Sequence, residues 1–124
     1  MARILIADDD PGLRDAMSSA LKDRQHVVDV AENGQQAIDL CQRNSYDVLL
    51  LDILMPEKDG IEFLRELRGL RASVEPRVIA VSGGDAALPG KYALTVAQSL
   101  GVSASLYKPF SRRELLEAVD AALA

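Results

Sequence analysis

The chain has 124 residues, the length of one domain, with 48% apolar residues for a core and a net charge of −5. An acidic balance without clustered Lys and Arg excludes non-specific nucleic-acid binding and offers no basic surface to anionic lipid. No apolar run approaches the roughly 20 residues of a membrane helix, the start lacks a signal-peptide stretch, and the single cysteine, Cys41, permits no internal disulfide; a soluble, cytoplasmic domain with no membrane or nucleic-acid partner is expected.

Short apolar runs alternate with segments of helical period. Ile4-Leu5-Ile6-Ala7 ends in Asp8-Asp9-Asp10, and Pro11 suits the first turn of a helix whose inner face is Leu13, Met17 and Leu21. Asp10 is expected as an N-cap or first-turn residue. Val27 to Ala31 reads as a second strand, and Asn33-Gly34 opens a second helix with Ala37, Ile38 and Cys41 inward. Val48 to Leu51 is a third strand stopped by Asp52, and Met55 to Gly60 is a loop by its Pro and Gly content. Ile61, Leu64 and Leu67 begin a third helix, and Arg77 to Val81 is a fourth strand. Ser82-Gly83-Gly84 and Pro89-Gly90 mark a longer loop before a helical segment with Ala93, Val96, Ala97 and Leu100. Ser103 to Tyr107 is a weaker fifth strand, and Ser111 with Glu114 forms a capping box for a last helix buried through Leu115, Leu116 and Val119.

Five strand–helix pairs in regular order predict an α/β fold, a parallel sheet with helices on both faces. Such sheets bind ligands beyond the carboxyl ends of their strands. Strand one ends there in Asp8 and Asp9, strand three in Asp52, strand four in Ser82 and strand five in Lys108; strand two ends in Ala31-Glu32, with less chemistry. With strand two at an edge, the four interior strands would bring three carboxylates, a hydroxyl and an ammonium to one crevice. Clustered carboxylates call for a hard cation, and Mg²⁺ suits oxygen ligands while leaving room for a phosphoryl oxygen. Lys108 can pair with Asp52 or with that oxygen, and Ser82 can donate to it. A carboxylate can itself be the nucleophile, giving an aspartyl-phosphate.

The segments ILIADDDP at 4–11, LLLDILMPEKDG at 49–60, VIAVSGG at 78–84 and YKPF at 107–110 carry a resemblance along essentially the whole chain. It resembles the receiver domains of two-component response regulators, in the single-domain, chemotaxis-regulator-like form. The resemblance implies a flavodoxin-like doubly wound fold with strand order 2-1-3-4-5. It implies Asp52 as phospho-acceptor and a Mg²⁺ site, with Mn²⁺ as a substitute, formed by Asp8, Asp9, Asp52 and the backbone carbonyl of Leu54. Ser82, Gly83 and Lys108 would make the switch and phosphate-binding set. The donor would be a sensor histidine kinase or a histidine phosphotransfer protein, and a downstream protein target, unidentified, would read the switch through the helical segment at 93–100, the fifth strand and the last helix. The Lys108–Pro109 bond is often cis in this family.

Two features depart from the family pattern. The position three residues before the lysine, often Tyr or Phe, is Ser105; Tyr107 is a different place and is expected on the other face of the strand, which leaves output to the loop at 82–91. The positions that tune hydrolysis are Leu54 and Gly84, neither able to orient a water, so slow self-dephosphorylation is expected.

Plainer roles are expected elsewhere. His26 is a loop residue and Cys41 a small core residue; Arg65, Arg68 and Arg71 form a solvated face interleaved with Glu62 and Glu66. The chain is expected to be a signalling switch and not an enzyme acting on a metabolite. An aspartate-nucleophile phosphatase would need an acid–base Asp where Leu54 stands, and a cap. An interaction module that only keeps the fold would not need Asp8, Asp9, Asp52, Ser82 and Lys108 together. One receiver domain over 1–124, without an output domain, is expected.

Overall fold

Five segments pair side by side into one parallel sheet: β1 (Arg3–Ala7), β2 (Val27–Ala31), β3 (Val48–Asp52), β4 (Arg77–Gly83) and β5 (Ala104–Lys108), in the order β2-β1-β3-β4-β5. The computed structural model describes residues 1–53, 60–69, 76–83 and 101–124. Among the described residues the helices are α1 (Pro11–Asp23), α2 (Gly34–Arg43), α3 (Gly60–Gly69) and α4 (Arg112–Leu123). The helical segment read at 93–100 and the loop at 84–91 lie outside the described residues.

Helices cover both faces, and the central strands are buried on both. Every residue of β3 is buried. Ile4, Ile6, Val48, Leu50, Ile79 and Val81 pack with Met17 and Leu21 of α1 and with Leu115, Leu116 and Val119 of α4. Leu5, Ala7, Leu49, Leu51, Val78 and Ala80 pack on the other face with Ala37 and Ile38 of α2 and Phe63, Leu64 and Leu67 of α3. Alternate residues of one strand thus serve two cores, which is why β1, β3 and β4 read as unbroken apolar runs. β2 is an edge strand, with Val27 and Val30 exposed. β5 is the other edge, which corrects the expectation that Lys108 comes from an interior strand.

The helix starts follow the sequence signals. Asp10 caps α1, its Oδ1 accepting from the backbone N–H of Gly12 at 3.0 Å and of Leu13 at 3.3 Å. Asn33 Oδ1 accepts from Gln36 N–H at 2.9 Å at the head of α2. Ser111 and Glu114 exchange both bonds of the capping box at the head of α4. Such caps satisfy N–H groups that have no partner within the helix.

Toward the amino ends of β1 and β2 lies a polar network that the sequence did not announce. Tyr46, buried, donates its hydroxyl to Asp29 Oδ2 at 2.7 Å. Arg3 pairs with the same oxygen at 3.5 Å, donates to Asn44 Oδ1 at 3.0 Å and lies over the Tyr46 ring, 5.5 Å from its centroid. Asp47 Oδ2 accepts from the backbone N–H of Arg3 at 2.8 Å. Burial and the adjoining Asp29 carboxylate push the Tyr46 hydroxyl pKa up. His26 is a loop residue whose Nδ1 accepts from Ala2 N–H at 3.0 Å, and Cys41 is partly buried against the α2–α3 core.

Candidate functional site

The chain order β1, β2, β3 against the spatial order β2-β1-β3 puts a switch point between the carboxyl ends of β1 and β3. Connections leave those two strands in opposite directions, which opens a crevice there. Asp8 follows β1 directly and Asp52 is the last residue of β3. Both are buried, at 0% and 4% exposure, a costly place for carboxylates without compensation.

Lys108, at the end of β5, reaches across to both. Its Nζ lies 3.2 Å from Asp52 Oδ2 in a hydrogen bond and 3.1 Å from Asp8 Oδ2 without hydrogen-bond alignment. Burial alone would lower the pKa of this ammonium, but the Asp52 and Asp8 carboxylates outweigh it and hold the pKa above the ordinary lysine value. Asp8 Oδ1 accepts from Asp10 N–H at 2.9 Å. Asp8 Oδ2 is therefore a buried carboxylate oxygen held by an ion pair to an ammonium shared with Asp52, without an aligned hydrogen bond.

Asp9 is exposed, yet one oxygen each from Asp8, Asp9 and Asp52 fall within 4.8 Å of one another. This donor set fits a hard divalent cation: it is all oxygen, it gathers three carboxylates at one place, and it includes a buried oxygen with no hydrogen bond. Asp10, third in the acidic run, is spent on the α1 cap and stands apart from the trio.

Ser82 is buried, one residue beyond Val81, which is the register partner of Asp52; Gly83 lies opposite Lys108. The structure thus brings Asp8, Asp9, Asp52 and Lys108 together and sets Ser82 and Gly83 at the end of the adjacent strand. Leu54 and Gly84 lie outside the described residues. The Lys108–Pro109 bond is cis.

Sequence reading misplaced one side chain and missed two. Ser105 and Tyr107 are two apart on β5, so they share a face, opposite the one through which Ala104 and Leu106 join the core of α1 and α4. The expectation of Tyr107 on the other face is therefore corrected: it is Lys108 that leaves on the opposite side from both. The first missed residue is Gly60, whose N–H donates to Ile53 O at 2.8 Å. A Cβ there would come within 2.6 Å of Ile53 Cα and 2.7 Å of Asp52 O, so only glycine lets α3 start against the end of β3. The Pro and Gly content of 55–60 signalled a loop, but not this close approach. The second is Arg14, whose Nη1 donates to the backbone carbonyl of Asp8 at 2.9 Å; helix periodicity carries no sign of that reach. Arg68, on the face read as solvated, donates to Gly101 O at 3.1 Å in an exposed bond, while Arg71 lies outside the described residues.

The family model of the response regulator receiver domain matches residues 4–120. This chain belongs to that family. The receiver is 34% identical to the transcriptional regulatory protein ResD of Bacillus subtilis over 123 residues, which is 98% of this chain and 48% of that protein. It is 36% identical to response regulator MprA of Mycobacterium tuberculosis over 104 residues, covering 74% of this chain and 45% of that one. The receiver thus spans about half the length of the curated relatives it matches. Among solved structures, the receiver domain of a sensor histidine kinase from Pseudomonas aeruginosa superposes with a TM-score of 0.86 at 25% identity, covering 98% of this chain and 97% of that one. That structure has a magnesium ion coordinated in its active-site cleft. Among the described residues of this receiver, no helix is long and apolar enough to cross a membrane.

Proposed function

We propose that this receiver accepts a phosphoryl group on Asp52 from a phosphohistidine, borne by a sensor histidine kinase or a histidine phosphotransfer protein in the cytoplasm, and that the modified chain presents a changed surface to a downstream protein. The observation that carries the reading is the convergence of Asp8 and Asp52, both buried, on Lys108, with Asp8 Oδ2 left without a hydrogen bond. A purely structural cluster would close that valence, as buried polar groups ordinarily do.

In the reaction a carboxylate oxygen of Asp52 attacks phosphorus, the P–N bond to the donor imidazole breaks, and an acyl phosphate forms while the imidazole keeps the electron pair. Asp8 and Asp9, with Asp52 and the Leu54 carbonyl, would hold Mg²⁺, or Mn²⁺ in its place, which supplies positive charge to the phosphoryl oxygens. Lys108 is held protonated by the two carboxylates beside it and can move its ammonium from Asp52 to a phosphoryl oxygen. Ser82 and the Gly83 backbone lie where β4 ends and can donate to another such oxygen. Burial of Asp8 and Asp52 keeps bulk water from competing for these contacts.

Intact mass after incubation with acetyl phosphate and Mg²⁺ tests this, on the wild type and on Asp52→Ala. One phosphoryl group should add to the wild type, only with Mg²⁺, and none to the variant. Addition to Asp52→Ala at the wild-type rate would remove Asp52 from the acceptor role.

A further inference from the structure

The β1–β2 ladder ends at the pair Ala7 and Ala31. Asp8 still donates its N–H to Ala31 O at 3.1 Å, but its carbonyl lies past the last register pair, in a residue with no exposed surface. A buried carbonyl needs a donor. It receives one from Arg14, which reaches back from α1 to place Nη1 2.9 Å from it. Three bonds therefore fix this short turn: the Asp8 N–H to β2, the Asp8 carbonyl to Arg14, and Asp8 Oδ1 to Asp10 N–H. What is left without a hydrogen bond is Asp8 Oδ2, ion-paired with Lys108 inside the cluster with Asp9 and Asp52.

We infer that Arg14 is a positioning residue for the cation site: by gripping the Asp8 carbonyl it fixes the plane of the Asp8–Asp9 peptide, and with it the directions in which both carboxylates leave the backbone. The inference rests on the cation reading of Asp8, Asp9 and Asp52 given above. It also runs against simple electrostatics. A guanidinium near an acidic pocket should repel a cation, so its removal would tighten binding if charge were all that mattered. As an anchor it acts the other way, since outer partners of metal ligands hold those ligands in productive geometry.

The test is calorimetric titration of Mg²⁺ and Mn²⁺ into the full chain, wild type and variants, with thermal melting in EDTA as the check of folding. Arg14→Met removes the donor and the charge but keeps bulk; it should raise Kd about tenfold or more, as loss of an outer partner commonly does. Arg14→Lys restores a cationic donor and should recover most of that loss. If Arg14→Met does not fold, Arg14→Gln, too short to reach the carbonyl, should show the same weakening. A Kd within twofold of wild type, or tighter binding, in whichever of Arg14→Met and Arg14→Gln folds overturns the inference while leaving the cation site standing. A wild type that binds neither ion, with Asp9→Asn no different from it, overturns the cation reading and the role of Arg14 with it.

Discussion

The receiver gathers polar side chains at both ends of its sheet, around a buried Tyr46 with largely accessible partners at one end and around two buried carboxylates at the other. Toward the amino ends, Arg3, Asp29, Asn44, Tyr46 and Asp47 are matched donor to acceptor, and the cluster needs nothing more. At the carboxyl ends, two buried carboxylates share one ammonium, and an Asp8 oxygen has no hydrogen bond. Both clusters contain aspartate and a cationic side chain, so residue type does not separate them. Burial and pairing do: among the described residues the amino-end network is largely accessible and matched, whereas the carboxyl-end carboxylates are buried and one Asp8 oxygen has an ion pair but no hydrogen bond.

Removing the cation from each cluster's neighbourhood should break this comparison most sharply at the carboxyl end. Lys108→Met removes the ammonium that pairs with both Asp8 and Asp52 and should cost about 3 kcal/mol, the scale of breaking a buried ion pair, in urea denaturation with EDTA; Mg²⁺ should restore part of it. A cost that Mg²⁺ does not reduce would mean that the pocket is not open to a cation. Gly60→Ala comes next. Its methyl would press on the backbone of Asp52 and Ile53, which cannot yield as a side chain can, so about 2 kcal/mol of stability should be lost, together with slower phosphorylation by acetyl phosphate. Tyr46→Phe acts at the amino end, removing the bond to Asp29. It should cost about 1 kcal/mol in the same denaturation series and leave the Mg²⁺ Kd unchanged; a changed Kd would show that the two ends are coupled.

An effect confined to alkaline pH lies outside both clusters. Burial pushes the Cys41 thiol up from 9.0 to about 11. Between those values the unfolded chain has released a proton that the folded chain still holds, so stability falls as pH rises, and below pH 9 this contribution is fully present. The difference in unfolding free energy between wild type and Cys41→Ser, followed from pH 8 to about 11, should narrow as the pH climbs; a difference independent of pH would place the thiol in solvent.

The sequence made the scaffold legible because local chemistry fixes it. The unbroken apolar runs of β1 and β3, the Asp10 and Asn33 caps and the Ser111–Glu114 box each act within a few residues, and each stands where its signal lies. The site was legible to the extent that strand ends are: Asp8, Asp9, Asp52, Ser82 and Lys108 all fall at such ends. The rest depended on contacts between distant segments. That β5 is an edge is decided by pairing. Tyr46 finds Asp29 17 positions away, and Gly60 is required by a backbone that packs on it from another element. The face of Tyr107 was misjudged although strand alternation settles it from position alone.

The bond from Lys108 to Asp52 joins residues 56 positions apart, and the acidic partners lie on the earlier side. A chain grows on the ribosome at about 5–20 residues per second, so Asp8, Asp9 and Asp52 are made seconds before the lysine that neutralises two of them. Until β5 is made, the ion pairs from Lys108 to Asp8 and Asp52 cannot form, so these two links come only with the strand that is last in the chain and at the edge of the sheet.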